Sequence, residues 1–222
     1  MLGKGFETLV ATYGSVKHAI AYPSFLNTAD KPCENPDLLK TLAEDGLVVL
    51  PNFYTAEECQ ALRNEIDKLL TDYKSQAWSD EEGSDMRLYA ADRVSLLINR
   101  FIQHPKLNLY CQNYLNRNAT ALTGFTLAAR LKPQKNNLGS GGGWHRDSVF
   151  GKQFKSIVYL NDVDEDGGPF QYIPGSHKQE NLYSGIWNGN LRGRQKRLTH
   201  EEVLTFIENT SQEIKTCTAK AG

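Results

Sequence analysis

The chain has 222 residues, of which 40% are hydrophobic and 23% are charged, and its formal net charge is −1. These proportions are typical of one globular domain, and the near-zero charge argues against a nucleic-acid partner or an anionic membrane surface. No stretch is long and apolar enough to cross a bilayer. Four widely spaced cysteines without a C-x-x-C pair favour a reducing cytoplasm over a disulfide framework. They are Cys33, Cys59, Cys111 and Cys217.

The first third of the chain is predicted to contain helices and one strand. Four apolar residues recur at helical spacing, namely Leu38, Leu39, Leu42 and Ala43. Gly46 is expected to end this helix. Residues 47–50 are a short apolar run before Pro51, which is typical of a buried strand.

A long amphipathic helix is predicted to follow Thr55. Thr55 and Glu58 have the spacing of a capping box, in which the two residues satisfy each other's backbone N–H groups. Behind them five residues recur at helical spacing: Cys59, Leu62, Ile66, Leu69 and Leu70. Residues 95–102 and 107–114 are predicted to form two shorter helices.

After about residue 119 the pattern changes from helices to strands. Four runs are rich in residues that favour strands: 120–131, 155–160, 170–173 and 214–218. Residues 179–196 are polar and contain glycine, which predicts a long loop, and Thr199 with Glu202 predicts a capped helix. Helices first and strands later indicate a β-sandwich or barrel flanked by helices.

Residues 141–147 read GGGWHRD and are the sharpest candidate for a functional site. On an extended strand, predicted here for residues 144–149, residues i and i+2 lie on the same face. His145 and Asp147 would then present an imidazole and a carboxylate side by side. These are two of the three ligands of the facial triad that binds non-haem Fe(II). An H-x-D tripeptide is common by chance, so taken alone it is weak evidence.

The ordered motifs around this tripeptide resemble those of the phytanoyl-CoA dioxygenase family. Residues 131–147 read LKPQKNNLGSGGGWHRD, and residues 157–178 read IVYLNDVDEDGGPFQYIPGSHK. The family has a strand ending in K-P, then W-H-x-D, then a strand of the form aLxDvdxxNGpl and the turn PGSHK. Gly167 stands where the family usually has asparagine, and either residue suits a turn. Residues 44–55 resemble the family's opening segment, so the resemblance covers most of the chain.

The resemblance implies a mainly β fold with flanking helices, a double-stranded β-helix of the jelly-roll or cupin-like type. It also implies an Fe(II)- and 2-oxoglutarate-dependent dioxygenase that uses O2 to hydroxylate a small-molecule substrate while 2-oxoglutarate becomes succinate. His145 and Asp147 would be iron ligands. The carboxylate of Asp147 favours hydroxylation, because related halogenases have a small residue in its place. Arg130 matches a position that contacts 2-oxoglutarate in some relatives, although an outward-facing surface arginine fits this position equally well.

The same resemblance gives the other histidines structural roles. His177 lies in the PGSHK turn, which is structural in the family, and His200 lies at the solvated start of a predicted helix. The substrate is not revealed by the sequence. The family acts on acyl thioesters, free amino-acid derivatives and natural-product scaffolds, and the residues that contact them lie in variable loops.

The family pattern breaks off at Gly222. In relatives a distal histidine, and then an arginine that pairs with 2-oxoglutarate, follow this point, so we expect the third ligand and the last strands after it. On this prediction residues 1–222 are one incomplete dioxygenase domain, with a helical flank at 1–118 and a jelly-roll core at 119–222. An open edge beside His145 and weak binding of iron are the expected consequences.

Two alternatives are open. The first is a non-catalytic jelly-roll relative or binding module that lacks a complete metal site. The retention of both His145 and Asp147 argues against it, and metal analysis would decide. The second is a cupin-type enzyme with another metal, such as an isomerase. Cupins usually carry more histidines on their ligand strands, and release of succinate would separate the two.

Overall fold

The computed structural model describes residues 2–21, 35–115, 124–134, 143–147, 151–189 and 191–222. Predictions that fall on Cys33, Gly141, Gly142, residues 120–123 or residues 148–149 lie outside these ranges. Groups of helices alternate with groups of short strands along the described residues. The helices are α1 (Leu2–Ala21), α2 (Pro36–Asp45), α3 (Ala56–Asp72), α4 (Leu96–Ile102), α5 (Pro105–Leu115), α6 (Gln179–Asn188) and α7 (His200–Thr210).

The strands form two small antiparallel sheets. Strands β1 (Trp78–Ser79), β2 (Asp85–Leu88) and β3 (Ala128–Leu131) pair in that order, with Met86 opposite Arg130 and Leu88 opposite Ala128. Strands β4 (Phe170–Tyr172) and β5 (Lys215–Cys217) form the second sheet. None of the helices in the described ranges is both long and apolar enough to span a membrane.

The predicted helix ends are confirmed. Gly46 follows α2 with φ 85°, and its N–H donates to the carbonyl of Leu42 at 3.1 Å. This left-handed conformation costs a glycine little, because it has no Cβ. The capping boxes of α3 and α7 are both formed, by Thr55 with Glu58 and by Thr199 with Glu202. Local sequence therefore fixes where these helices begin and end.

The first core cluster lies between α3 and the three-stranded sheet, as the apolar stripe of α3 predicts. Leu62, Leu69 and Leu70 are buried against Leu88 of β2 and Ala128 of β3. A helix with one apolar face is stable where that face is removed from water. This packing holds β3, and with it Arg130, beside α3.

The second part of the core is built by α1, α6 and α7. Phe206 and Val203 of α7 pack against Ile173 and Leu191. Ile186 of α6 is fully buried, together with Leu182 of α6 and Ala11 of α1. The partly buried Trp144 and Leu198 pack against the α7 cluster. The segment that contains His145 is therefore attached to this second core.

Helix α6 corrects one prediction. Residues 179–196 were expected to form a long loop, but their first ten residues, Gln179–Asn188, are helical. The helix is stabilised by tertiary packing of Leu182 and Ile186, and not by strong local propensity. A Cβ at Gly185 would lie 2.8 Å from Leu191 Cδ1 and 3.1 Å from Phe206 Cδ2, so a larger residue there would displace these buried side chains.

The predicted strands are only partly present. Residues 47–50 form no strand, and Val49 is 55% exposed, so the predicted buried strand is wrong. Residues 155–160 are also without a regular strand. Residues 159–163 instead make isolated contacts with residues 219–222. The Gly222 N–H donates to Tyr159 O at 2.8 Å, and Val163 forms an isolated bridge with Ala219. The described residues thus contain antiparallel sheet but not the ladders of a closed jelly roll.

Candidate metal site

The segment that carries His145 and Asp147 runs antiparallel to residues 196–198. His145 and Arg197 form an isolated antiparallel bridge. The N–H of Arg146 donates to Lys196 O at 2.7 Å, and the N–H of Leu198 donates to Trp144 O at 3.0 Å. Residues 143–147 are not a regular strand as predicted, but the bridge at His145 pairs the backbone as in an antiparallel sheet, where alternate side chains lie on the same face.

The structure brings the two predicted ligand side chains together. His145 Nε2 lies 3.7 Å from Asp147 Oδ1. The other imidazole nitrogen, Nδ1, lies 2.8 Å from the carbonyl oxygen of Gly143. Because a carbonyl oxygen only accepts, Nδ1 is the donor, and in the neutral imidazole Nε2 then carries the lone pair. A carbonyl oxygen that accepts from the other ring nitrogen orients metal-binding histidines in many proteins.

This donor set fits a divalent metal ion. Imidazole nitrogen and carboxylate oxygen bind such ions at about 2.0–2.2 Å, so two donor atoms 3.7 Å apart can both reach one ion. The side chain of His145 is 28% exposed and that of Asp147 is 43% exposed, which leaves both accessible from solvent. Clefts beside β4 and β5, one containing Pro174 and the other Pro169, are lined by neither ligand. The pair therefore lies at the surface of the described residues.

Lys155 is a third polar group at this site, and no motif in the sequence indicated it. Its Nζ lies 2.6 Å from Asp147 Oδ2. The two oxygens of the carboxylate thus have different neighbours, the imidazole at Oδ1 and the ammonium at Oδ2. An exposed ion pair of this kind contributes about 0–1 kcal/mol to stability, so its main effect is on the orientation of Asp147.

Among the described residues, no group of three or more His, Cys, Asp or Glu side chains is placed to hold a metal ion. His200 is the exposed first residue of α7, and His177 lies against α2. The described residues therefore offer two candidate ligands at this site, His145 and Asp147.

His177 has the structural role that the resemblance implied. Its Nε2 lies 3.0 Å from the carbonyl oxygen of Ala43 in the last turn of α2, where helical carbonyls have no partner in the helix. A Cβ at Gly46 would lie 2.7 Å from His177 Nδ1, so glycine is required here for space as well as for its positive φ. The PGSHK turn is in this way fastened to the end of α2.

We expect the contribution of His177 to stability to depend on pH. Burial lowers its pKa from the ordinary value of 6.5. The unfolded chain then binds more protons than the folded chain just below pH 6.5, so stability is complete above pH 6.5 and falls as the pH drops below it. His177→Ala should lower the free energy of unfolding by about 1 kcal/mol at neutral pH, the worth of one hydrogen bond.

Urea denaturation of both proteins above and below pH 6.5 measures this effect. The difference between them should shrink at the lower pH, because burial disfavours the charged imidazolium in the native protein and the alanine variant has no such group. An equal difference at both values would contradict the assignment.

Arg130 makes a contact outside the metal site. Its Nη1 lies 2.9 Å from Asp67 Oδ1 on α3, and its Nη2 lies 3.2 Å from Met86 Sδ on β2. The side chain is 42% exposed. An exposed pair is weak, so the guanidinium can exchange Asp67 for another carboxylate at little cost. Its predicted contact with 2-oxoglutarate stays a prediction.

Comparison with known proteins identifies the class of this chain. Residues 42–202 match the phytanoyl-CoA dioxygenase (PhyH) family, so the chain belongs to this family of dioxygenases. The resemblance read from its motifs is thereby confirmed.

One relative is ectoine dioxygenase from Halomonas elongata, which is 27% identical to this chain over 157 residues. The match covers 63% of this chain and 45% of the relative, so the chain spans less than half the length of that protein. No solved structure matches the chain.

Proposed function

We propose that this chain carries the metal-binding segment of an Fe(II)- and 2-oxoglutarate-dependent oxygenase that hydroxylates a small molecule. The observation that supports the proposal best is the pair His145 and Asp147, with donor atoms 3.7 Å apart in a family of dioxygenases. Ferrous iron is bound in such enzymes by two histidines and one carboxylate, which leaves positions open for other ligands.

In this proposal His145 and Asp147 hold the metal and the rest of the segment orients them. The Gly143 carbonyl keeps the proton on Nδ1 of His145, which leaves Nε2 free to bind. Lys155 holds Asp147 Oδ2 and leaves Oδ1 directed at the imidazole. When bound, iron with 2-oxoglutarate as the two-electron donor would activate O2, the oxidant for hydroxylation, which no protein side chain can do.

Arg130 is the candidate for a carboxylate of 2-oxoglutarate. A guanidinium binds a carboxylate through two parallel hydrogen bonds, which suits this co-substrate. Binding requires the guanidinium to leave Asp67. Arg130→Met should then weaken binding of 2-oxoglutarate without changing binding of the metal.

The test is anaerobic addition of Fe(II) and 2-oxoglutarate to the purified chain, followed by visible absorption, and then admission of air with measurement of succinate. The proposal expects a charge-transfer band that requires both additions, and succinate that depends on iron. Metal binding without any succinate would support the alternative of a non-catalytic relative. Absence of metal binding even at a high concentration of Fe(II), where two protein ligands should hold the ion weakly, would refute the proposal.

A further inference from the structure

The side chain of Arg146 lies between the two ligands in sequence but points away from them. Its Nε lies 3.1 Å from Gln195 O, and its Nη2 lies 2.5 Å from the same oxygen and 3.4 Å from Arg192 O. Its backbone N–H donates to Lys196 O. The guanidinium therefore holds the carbonyls of Arg192 and Gln195, and the backbone N–H holds that of Lys196; we call residues 192–196 the anchor loop.

The anchor loop is itself fixed from its other side. The N–H of Gly193 donates to Glu7 Oε2 of α1 at 2.8 Å. The backbones approach so closely that a Cβ at Gly193 would lie 2.4 Å from Glu7 O. Inside the loop the Gln195 side chain accepts from the Arg192 N–H at 3.0 Å and donates to Glu202 of α7 at 2.8 Å. Two helices thus hold the loop in place.

The fixed anchor loop can hold in place the segment that contains His145 and Asp147. Two backbone hydrogen bonds, at Arg146 and Leu198, form the isolated bridge that joins the segment to residues 196–198. So few backbone contacts leave a short segment free to twist about its own axis. A forked side chain between His145 and Asp147 prevents that twist, because its planar donors match carbonyls on one side only.

We infer that Arg146 is a positioning residue that sets the orientation of His145 and Asp147 toward one metal ion by fastening their segment to the anchor loop. This inference rests on the proposed function, since it assigns Arg146 a role in metal binding. Loss of groups that orient metal ligands typically weakens metal binding by about 10–100-fold. The effect of removing the Arg146 guanidinium should lie in that range.

The experiment compares Co(II) binding by the native chain, Arg146→Gln and Arg146→Lys. The visible absorption of the bound ion measures the binding. The matched control is Arg194→Gln, which removes the same charge from an exposed side chain of the same loop. Circular dichroism at the titration temperature establishes that each protein is folded. Co(II) absorption reports ligand geometry, which a loss of stability in a folded protein does not alter.

We expect Arg146→Gln to bind Co(II) about 10–100-fold more weakly and with an altered absorption band. Arg146→Lys should lie between it and the native chain, because lysine reaches one carbonyl without the fork. Arg194→Gln should match the native chain. If Arg146→Gln does not fold, the comparison of Arg146→Lys with the native chain tests the inference.

Three outcomes would overturn the inference. A folded Arg146→Gln with native affinity and an unchanged absorption band would by itself overturn the inference. If Arg146→Gln does not fold, native affinity in Arg146→Lys would overturn it. An equal loss in Arg194→Gln would show an effect of charge and not of position. No Co(II) binding by the native chain would refute the proposed function, and with it this inference.

Discussion

Replacement of Asp147 by alanine is expected to weaken binding of Fe(II) or Co(II) by about 100-fold or more, and to remove iron-dependent release of succinate. Loss of a group that only orients a ligand costs about 10–100-fold, and Asp147 is proposed as the ligand itself. The variant leaves His145 as the one protein donor of the pair. It also leaves the Lys155 ammonium without its carboxylate, so the site changes from near-neutral to positive and repels a cation.

The matched control is Asp166→Ala, which removes an exposed carboxylate from the turn before β4. This control should bind metal as the native chain does. Isothermal titration with Co(II) measures the affinities, and urea denaturation shows whether either variant has lost stability. Native affinity in a folded Asp147→Ala would exclude Asp147 as a ligand and would contradict the proposed site.

Ile186→Ala is expected to lower the free energy of unfolding by about 2–5 kcal/mol. Ile186 is 0% exposed and packs with Leu182 and Ala11 where α6 meets α1. Truncation of a buried isoleucine side chain loses the free energy gained by transferring it out of water. It also leaves a cavity that the neighbours fill only in part. Such a loss is large compared with the 5–15 kcal/mol that stabilise a typical domain.

Leu9→Ala is the control, because Leu9 lies on α1 but is 69% exposed. It should change the free energy of unfolding by less than about 0.5 kcal/mol, as surface substitutions usually do. Urea denaturation followed by circular dichroism measures both variants. A small effect of Ile186→Ala would show that residues 179–196 form the loop that their composition predicts, and not a helix packed on α1.

Features that depend on neighbours in sequence were predictable from the sequence by itself. The capping boxes at Thr55 and Thr199 are formed by residues three apart, and Gly46 ends α2 through its own backbone freedom. The pairing of His145 with Asp147 is of the same kind, because alternation along an extended backbone places both side chains on one face. The motifs that indicate the family are also short stretches of sequence.

Strands and loops were less predictable because their stability comes from distant partners. An apolar run such as 47–50 becomes a strand only if another segment supplies hydrogen bonds, and the described residues supply none of strand type there. Helix α6 shows the converse: a polar, glycine-containing stretch is helical because Ile186 and Leu182 find an apolar surface on α1. Tertiary contact overrides local preference in both cases.

The sequence by itself determined the family of this chain, its helix ends and its pair of candidate ligands, since short-range spacing controls each of them. Only the tertiary structure placed Lys155 on Asp147 and the Arg146 guanidinium on the carbonyls of Arg192 and Gln195. The Arg146 contacts join residues more than forty positions apart, and Lys155 lies eight positions from Asp147. No sequence periodicity encodes such contacts, and those of Arg146 depend on how the helices α1 and α7 hold the anchor loop.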